Sequence, residues 1–143
     1  RNITVITASL AIANTVASSY SLENQIRLIL TGGIVRAGEL SMIGQFAESL
    51  YEQVYVDKAF VGVAGIHMES GITEYNLDDA AVKKAMIASA KQKIVVADAS
   101  KLGKTLFASV ADLSQIDTIV TSQDAPDEYL KQLEAMGIEV ILA

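Results

Sequence analysis

Apolar and polar positions along the chain alternate between two periods. Short runs at Ile3–Thr7 (ITVIT), Ile26–Leu30 (IRLIL) and residues 58–63, 93–97, 116–120 and 138–142 are apolar or β-branched almost throughout. That is the pattern of strands covered on both sides. Between them, apolar residues recur at helical spacing. Residues 10–19 carry Leu10, Ile12, Ala13, Val16 and Ala17, and residues 41–51 carry Met42, Phe46, Ala47 and Leu50 on one face. Residues 76–92 and 125–136 complete the set of predicted helices. The end signals agree. Ser9 caps the first helix and Asn76 the third, where Asp78 and Asp79 fall in the first turn and lysines follow later, as the helix dipole favours. Pro126 opens the last helix and Gly137 stops it. Gly44 interrupts the second. Between elements the pattern predicts a polar turn over residues 20–25 and a long glycine-containing loop over 64–73. It also predicts a loop or single turn over 98–105 and a short extended piece at 106–108.

This alternation predicts an α/β fold, with a mostly parallel sheet, right-handed crossovers and helices on both faces. Half of the 143 residues are apolar and only three are Phe, so the expected core is aliphatic. No repeat, low-complexity segment or linker divides the chain, and residues 1–143 are read as a single domain. The first residue is Arg1 and a strand starts almost at once, which predicts a fragment of a longer polypeptide.

Charge and composition narrow the functions. The net charge is −6 with no basic run, which disfavours binding of nucleic acid by this chain alone and argues against a basic membrane-surface helix. No apolar run has transmembrane length. The absence of cysteine excludes disulfides and thiolate metal sites and fits a cytoplasmic protein. One histidine and no carboxylate cluster at ligand spacing predict no metal. Neither GxGxxG nor GxxxxGK[ST] occurs, so no cofactor is expected.

Three strand-to-loop junctions carry the candidate chemistry. Thr31-Gly32-Gly33 places two flexible amides after a strand, where they can approach an anion; a tight strand-to-helix turn explains the same pair. Asp98-Ala99-Ser100-Lys101 follows the strand at 93–97. There a lysine beside a serine can hold a phosphate, with Asp98 orienting Lys101 or bonding a sugar hydroxyl; an aspartate capping a short turn beside a solvated lysine is the plainer reading. The loop over 64–73 holds Gly65, Ser70, Gly71 and Thr73 and leads to Glu74, which can accept from a hydroxyl, act as a base, or be an exposed carboxylate. His67 has no evident nucleophile partner and is assigned to the loop with Met68. Met42, Met86 and Met136 are assigned to the core.

The succession VITASLAIAN, LTGGIVR, VDKAFVGVAGIHMESGITE, KKAMIASAK and VVADASKLGKTLFASVADLSQIDTIVT resembles the C-terminal effector domain of DeoR-family bacterial transcriptional regulators over nearly the whole chain. The combination of DKAFVG, GIT and DASK at these separations is the specific part. The resemblance implies a fold similar to ribose-5-phosphate isomerase A and the related CoA-transferases. It also implies a sensor that binds a phosphorylated sugar or related metabolite and thereby modulates DNA binding by a transcriptional repressor. Carried over by position, the effector-binding residues are Thr7, Ser9, Gly32, Gly33, Arg36, Gly65, Gly71, Thr73, Glu74, Asp98, Ser100 and Lys101. Lys101 and the Gly32 and Gly33 amides are assigned to the phosphate, Glu74 and Asp98 to hydroxyls; none is assigned a catalytic role. The family's helix-turn-helix is absent from these residues, so DNA is expected as a partner only through an N-terminal domain. An Asp-Ser-Gly-Thr-Thr-like loop that supplies phosphate contacts in similar domains is absent as well. A homo-oligomer is expected, because the family reads paired half-sites. Two rival readings stand beside the sensor. One is a phosphosugar isomerase-like enzyme with Glu74 as base and Lys101 as electrophile, against which Gly62-Val63-Ala64-Gly65 is bare of titratable groups. The other is a dimerisation module with a vestigial pocket.

Overall fold

The computed structural model describes residues 2–20 and 25–143. Contacts divide the chain into two compact units, residues 1–53 and 54–143, and each is described in turn.

In the first unit, β1 (Ile3–Thr7) and β2 (Ile26–Leu30) pair in parallel, with Ile3 beside Ile26 and Thr7 beside Leu30. Helix α1 (Leu10–Ser18) follows β1 and is capped by Ser9, whose hydroxyl oxygen accepts the Ile12 N–H at 3.3 Å. Residues 21–24 of the expected polar turn lie outside the described residues. A small antiparallel ribbon follows, β3 (Ile34–Val35) with β4 (Met42–Ile43). It is tied back to the end of β1, because the Met42 amide donates to the Ala8 carbonyl at 2.6 Å and Ser41 bridges Ser9. Helix α2 (Gln45–Glu52) starts later than its apolar pattern predicts. Gly44, at φ 93, occupies a left-handed conformation that breaks strand from helix. The delayed start moves the buried stripe to Ala47 and Tyr51, so Phe46, expected on the core face, is 81% exposed, and Met42 is buried as part of the ribbon. Burial pushes the Tyr51 phenol up to about 12.

The second unit comprises β5 (Val56–Gly62), β6 (Gly65–His67), β7 (Gly71–Glu74), α3 (Leu77–Ser89), β8 (Ala90–Val96), β9 (Ala108–Ala111), β10 (Thr118–Thr121), α4 (Asp127–Ala135) and β11 (Glu139–Leu142). Four strands form an all-parallel sheet in the order β11-β10-β8-β5, with β5 at one edge. Each crossover is long enough to reverse direction, and α3 and α4 supply two of them. Gly62 stands beside Val96, and Val96 beside Val120, so three strands end level.

The region expected to be a long loop, 64–73, is instead a hairpin. β6 and β7 pair antiparallel with Gly65 opposite Thr73, and β9 adds to β7 as a third strand. Its glycines, loop signals in the sequence, meet close backbone approaches. A Cβ on Gly65 would lie 2.6 Å from the Lys104 carbonyl oxygen, and one on Gly71 would collide with the Ala111 carbonyl. The extended piece expected at 106–108 is accordingly β9, displaced to later residues by its pairing with β7.

Asn76 caps α3 as predicted, accepting the Asp79 N–H at 2.9 Å. Pro126 is the residue before α4, and Gly137, at φ 86, follows its end. The core cluster joins Val61, Val95 and Ile119 of the sheet, Ile66 and Ile72 of the hairpin, Ala80 and Ile87 of α3, and Leu133 of α4. Met86 packs against it, whereas Met136, expected in the core, is 47% exposed, because it lies beyond the Leu130 and Leu133 stripe at the end of α4. Among the described residues no helix is long and apolar enough to cross a membrane.

Candidate functional site

In the second unit the carboxyl ends of β8 and β10 border an open depression of about 200 Å³, lined by Val96, Ala97, Asp98, Val120, Thr121 and Ser122 and reached by Ala143. Open α/β sheets bind ligands at this edge. A 3-10 turn, Ala99–Lys101, begins there. Asp98 precedes it and accepts from both the amide of Ser100, at 2.8 Å, and the Ser100 hydroxyl. Ser122, at the end of the neighbouring strand, accepts the Ala99 N–H at 2.8 Å. Two strand ends therefore fix the turn that presents Ser100 and Lys101.

The electrostatics follow from these contacts. The Ser100 hydroxyl, and then the Ser100 amide, hold the Asp98 carboxyl below its ordinary value, with smaller help from the charges of Lys101 and Lys104. Asp98 is thus a carboxylate among positive groups at neutral pH. Its linkage runs in the usual carboxylate direction: whatever it contributes to stability is present above its ordinary value of 3.8 and lost as the pH falls through the lowered one. Ser100→Ala removes the largest cause, so the Asp98 carboxyl should titrate at a higher pH than in the parent chain. A carboxyl-detected NMR titration checks this, and an unchanged midpoint would refute the assignment.

Glu74 occupies a different environment from the one expected. It ends β7, is 6% exposed and pairs with the Lys83 ammonium from the second turn of α3. Its other oxygen accepts the Tyr75 N–H at 3.2 Å. The exposed-carboxylate reading is therefore corrected: β7 carries Glu74 inward because its side of the strand faces α3. Thr73, 3% exposed, accepts the Leu106 amide at 3.0 Å. Gly65 and Gly71 are packed against backbone, as described above. The His67 Nδ1 accepts the amides of Glu69 and Ser70, at 3.1 and 3.4 Å, and so closes the hairpin turn.

The first unit brings its own five candidates to the end of its parallel pair. The Thr7 carbonyl accepts the Thr31 amide at 3.1 Å, and the Thr7 hydroxyl oxygen accepts the Ser9 amide at 3.1 Å. Ser9 caps α1, so both side chains have local hydrogen-bonding work. Gly32, at φ 75, is exposed and has open space beside it, whereas a Cβ on Gly33 would lie 2.5 Å from the Ile43 carbonyl oxygen. The Arg36 amide donates to the Ser41 carbonyl at 2.8 Å, placing Arg36 on the ribbon that returns to Ser9.

Three residues of the second unit were missed in the sequence. Lys83 lies nine positions after Glu74, at a spacing that becomes meaningful only once the helix start is fixed at Leu77. Lys104 lies three positions after Lys101, past the end of the 3-10 turn and the left-handed Gly103. Ser122 sits beside Asp98 across the sheet, a neighbour that the equivalence of adjacent strand ends makes legible in retrospect. Among the described residues no group of His, Asp or Glu could hold a metal ion.

Comparison with known proteins adds a family. The DeoR C terminal sensor domain matches residues 1–123. The chain is similar to the HTH-type transcriptional regulator GlpR of Haloferax volcanii, with 34% identity over 83% of this chain and 46% of that protein. It is also similar to the HTH-type transcriptional repressor GlcR of Bacillus subtilis, with 34% identity over 97% and 52%. A putative aga operon transcriptional repressor of Escherichia coli O157:H7 shares 32% identity over 89% and 47%. The chain spans about half the length of the curated relatives it matches.

Proposed function

Since this chain belongs to the family of DeoR C-terminal sensor domains, we propose that it is the effector-sensing part of a sugar-metabolism transcriptional repressor. Its effector is a phosphorylated sugar or a related phosphorylated metabolite, bound at the carboxyl edge of the four-stranded sheet. The observation that carries this reading is the turn at residues 98–101. Its serine and aspartate are held by hydrogen bonds, and two lysines act on the same carboxylate beside an open depression. A phosphate oxygen suits Lys101 and Ser100, and a sugar hydroxyl suits Asp98. The Gly32 amide and Arg36, with Gly33, Thr7 and Ser9 around them, are proposed as effector-binding residues of the first unit in its own right.

Sensing requires that the effector bind one arrangement of the protein better than another. The arrangement in question is that of a homo-oligomer whose DNA-binding segments lie outside this chain. An isomerase needs Glu74 free to take a proton. Its pairing with Lys83 and the Tyr75 amide supports a structural role for that carboxylate instead.

A thermal-shift titration tests the reading. Glycerol 3-phosphate, ribose 5-phosphate and glucose 6-phosphate are compared with the same compounds lacking phosphate. At least one phosphorylated compound should raise the Tm, by mass action on the folded state, with its parent compound inert. Lys101→Ala should weaken that binding by about 10–100-fold, the worth of one charge-assisted hydrogen bond. Turnover of the bound compound would instead establish an enzyme. No shift with any of the three would remove the phosphosugar reading.

A further inference from the structure

The chain contains nine glycines, and eight have a reason within the fold. Gly32, Gly33, Gly38, Gly44, Gly71, Gly103 and Gly137 adopt positive φ, which side-chain-bearing residues avoid. Gly65 does not, but a Cβ there would lie 2.6 Å from both the Lys104 carbonyl oxygen and Thr73 Oγ1. Gly62 has neither reason. Its φ lies outside the left-handed region, and no atom of the described residues comes within 4 Å of the place a Cβ would occupy.

Gly62 is moreover the last residue of a strand, where glycine is a poor choice. It loses more backbone entropy on folding than any other residue and offers no side chain to pack. A β-branched residue would suit the position better. A strand glycine often marks a bulge, a tight bend or the close approach of a ligand or another backbone, and the register from Lys58–Gln92 to Gly62–Val96 runs without a bulge.

The location identifies what that is. Gly62 ends β5 beside Val96, two residues before Asp98. On its other side, the Ala64 amide donates to the Thr73 carbonyl at 3.3 Å, which brings the hairpin to the same edge. Phe60 shares the Gly62 face of β5 by strand periodicity, and Phe60 and Val96 are 63% and 43% exposed. An open position with apolar neighbours therefore adjoins the turn that presents Asp98, Ser100 and Lys101.

We infer that Gly62 is a specificity-determining position of the effector site, its missing side chain leaving room for the carbon skeleton of a phosphorylated polyol to seat against the β5 backbone between Phe60 and Val96. The inference rests on the sensor reading above and adds a steric limit to it. A side chain at residue 62 competes with the effector for one volume and leaves the fold intact.

The test uses Gly62→Ala and Gly62→Val in this chain, with glycerol 3-phosphate and glucose 6-phosphate as probes. Without probe, both variants should melt at or above the parent Tm. With probe, Gly62→Val should bind at least about tenfold more weakly by calorimetric titration, with Gly62→Ala between it and the parent. A Gly62→Val protein that melts several degrees lower without probe would show that the fold needs this glycine, and would overturn the inference. So would a variant that binds as the parent does, which sinks the steric role alone. A parent chain that binds neither of these probes nor ribose 5-phosphate removes the phosphosugar reading and this inference with it.

Discussion

Lys83→Met is expected to destabilise the chain by about 3 kcal/mol, because it leaves a carboxylate in a site built for an ion pair. Glu74 is 6% exposed, and its remaining bond is to the Tyr75 amide. Methionine keeps most of the lysine volume, so the loss reports the missing charge and not a cavity. Lys83 is itself partly exposed, which places the cost at the lower end of the range for buried pairs. Glu74→Gln/Lys83→Met should recover more than half of the loss, since a neutral amide tolerates the site far better than an unpaired carboxylate. Urea denaturation of the two single variants and the double variant gives the coupling energy directly. A cost below about 0.5 kcal/mol for Lys83→Met would mean that the pair behaves as a surface pair does. Joining the end of β7 to the second turn of α3, this contact holds the hairpin against the helix that leads back into the sheet.

Gly71→Ala should be at least as damaging, at about 3 kcal/mol or more, and for two separable reasons. At φ 74 the backbone is in the left-handed region, which costs a side-chain-bearing residue about 1 kcal/mol or more. The new Cβ would also collide with the Ala111 carbonyl oxygen and lie 3.1 Å from the Asp112 Cα, so β7 and β9 would have to separate. Gly71→Asn distinguishes the two, because asparagine tolerates positive φ but still carries a Cβ, and should not rescue stability. Gly103→Asn provides the contrast: φ is 81 there, yet the nearest atom to a Cβ is a Tyr129 ring carbon at 4.0 Å. It should stay within about 1 kcal/mol of the parent chain. If Gly71→Asn unfolds no more easily than Gly103→Asn, the close approach of β7 to β9 is wrong.

These two contacts also show where sequence reasoning stops. Strands at Ile3–Thr7 and Ile26–Leu30 and the Asn76 cap of α3 are legible residue by residue, because they depend on local periodicity and capping chemistry. The hairpin is not. Glycines at 65 and 71 look like loop residues until the backbone they touch is known, and that backbone comes from residues 104 and 111. The inward turn of Glu74 depends on the same missing information, namely which side of β7 faces α3. Phe46 and Met136 fail for a related reason: a shift in a helix boundary rotates or truncates the buried stripe, and boundaries are the weakest part of a periodicity argument. The division of contacts after residue 53 leaves no mark in composition. The turn at 98–101 is legible because its chemistry is compact, with aspartate, serine and lysine within four residues of a strand end. Its support from Ser122 required the order of strands in the sheet.

Gly62 illustrates the point from the other direction. In the sequence it is indistinguishable from its neighbour Gly65. Only the space beside each separates a glycine that the fold requires from one that it does not.

The most direct measurement is a map of backbone amide chemical shifts on titration with the phosphorylated compound that gives the largest thermal shift. In this account the perturbed amides cluster at the carboxyl ends of β5, β8 and β10, with the largest changes among residues 62–64, 98–104 and 121–122. The amino-terminal ends of the same strands stay still. Perturbations confined to those opposite ends, or to the far end of α4, would place the ligand elsewhere and contradict the site proposed here.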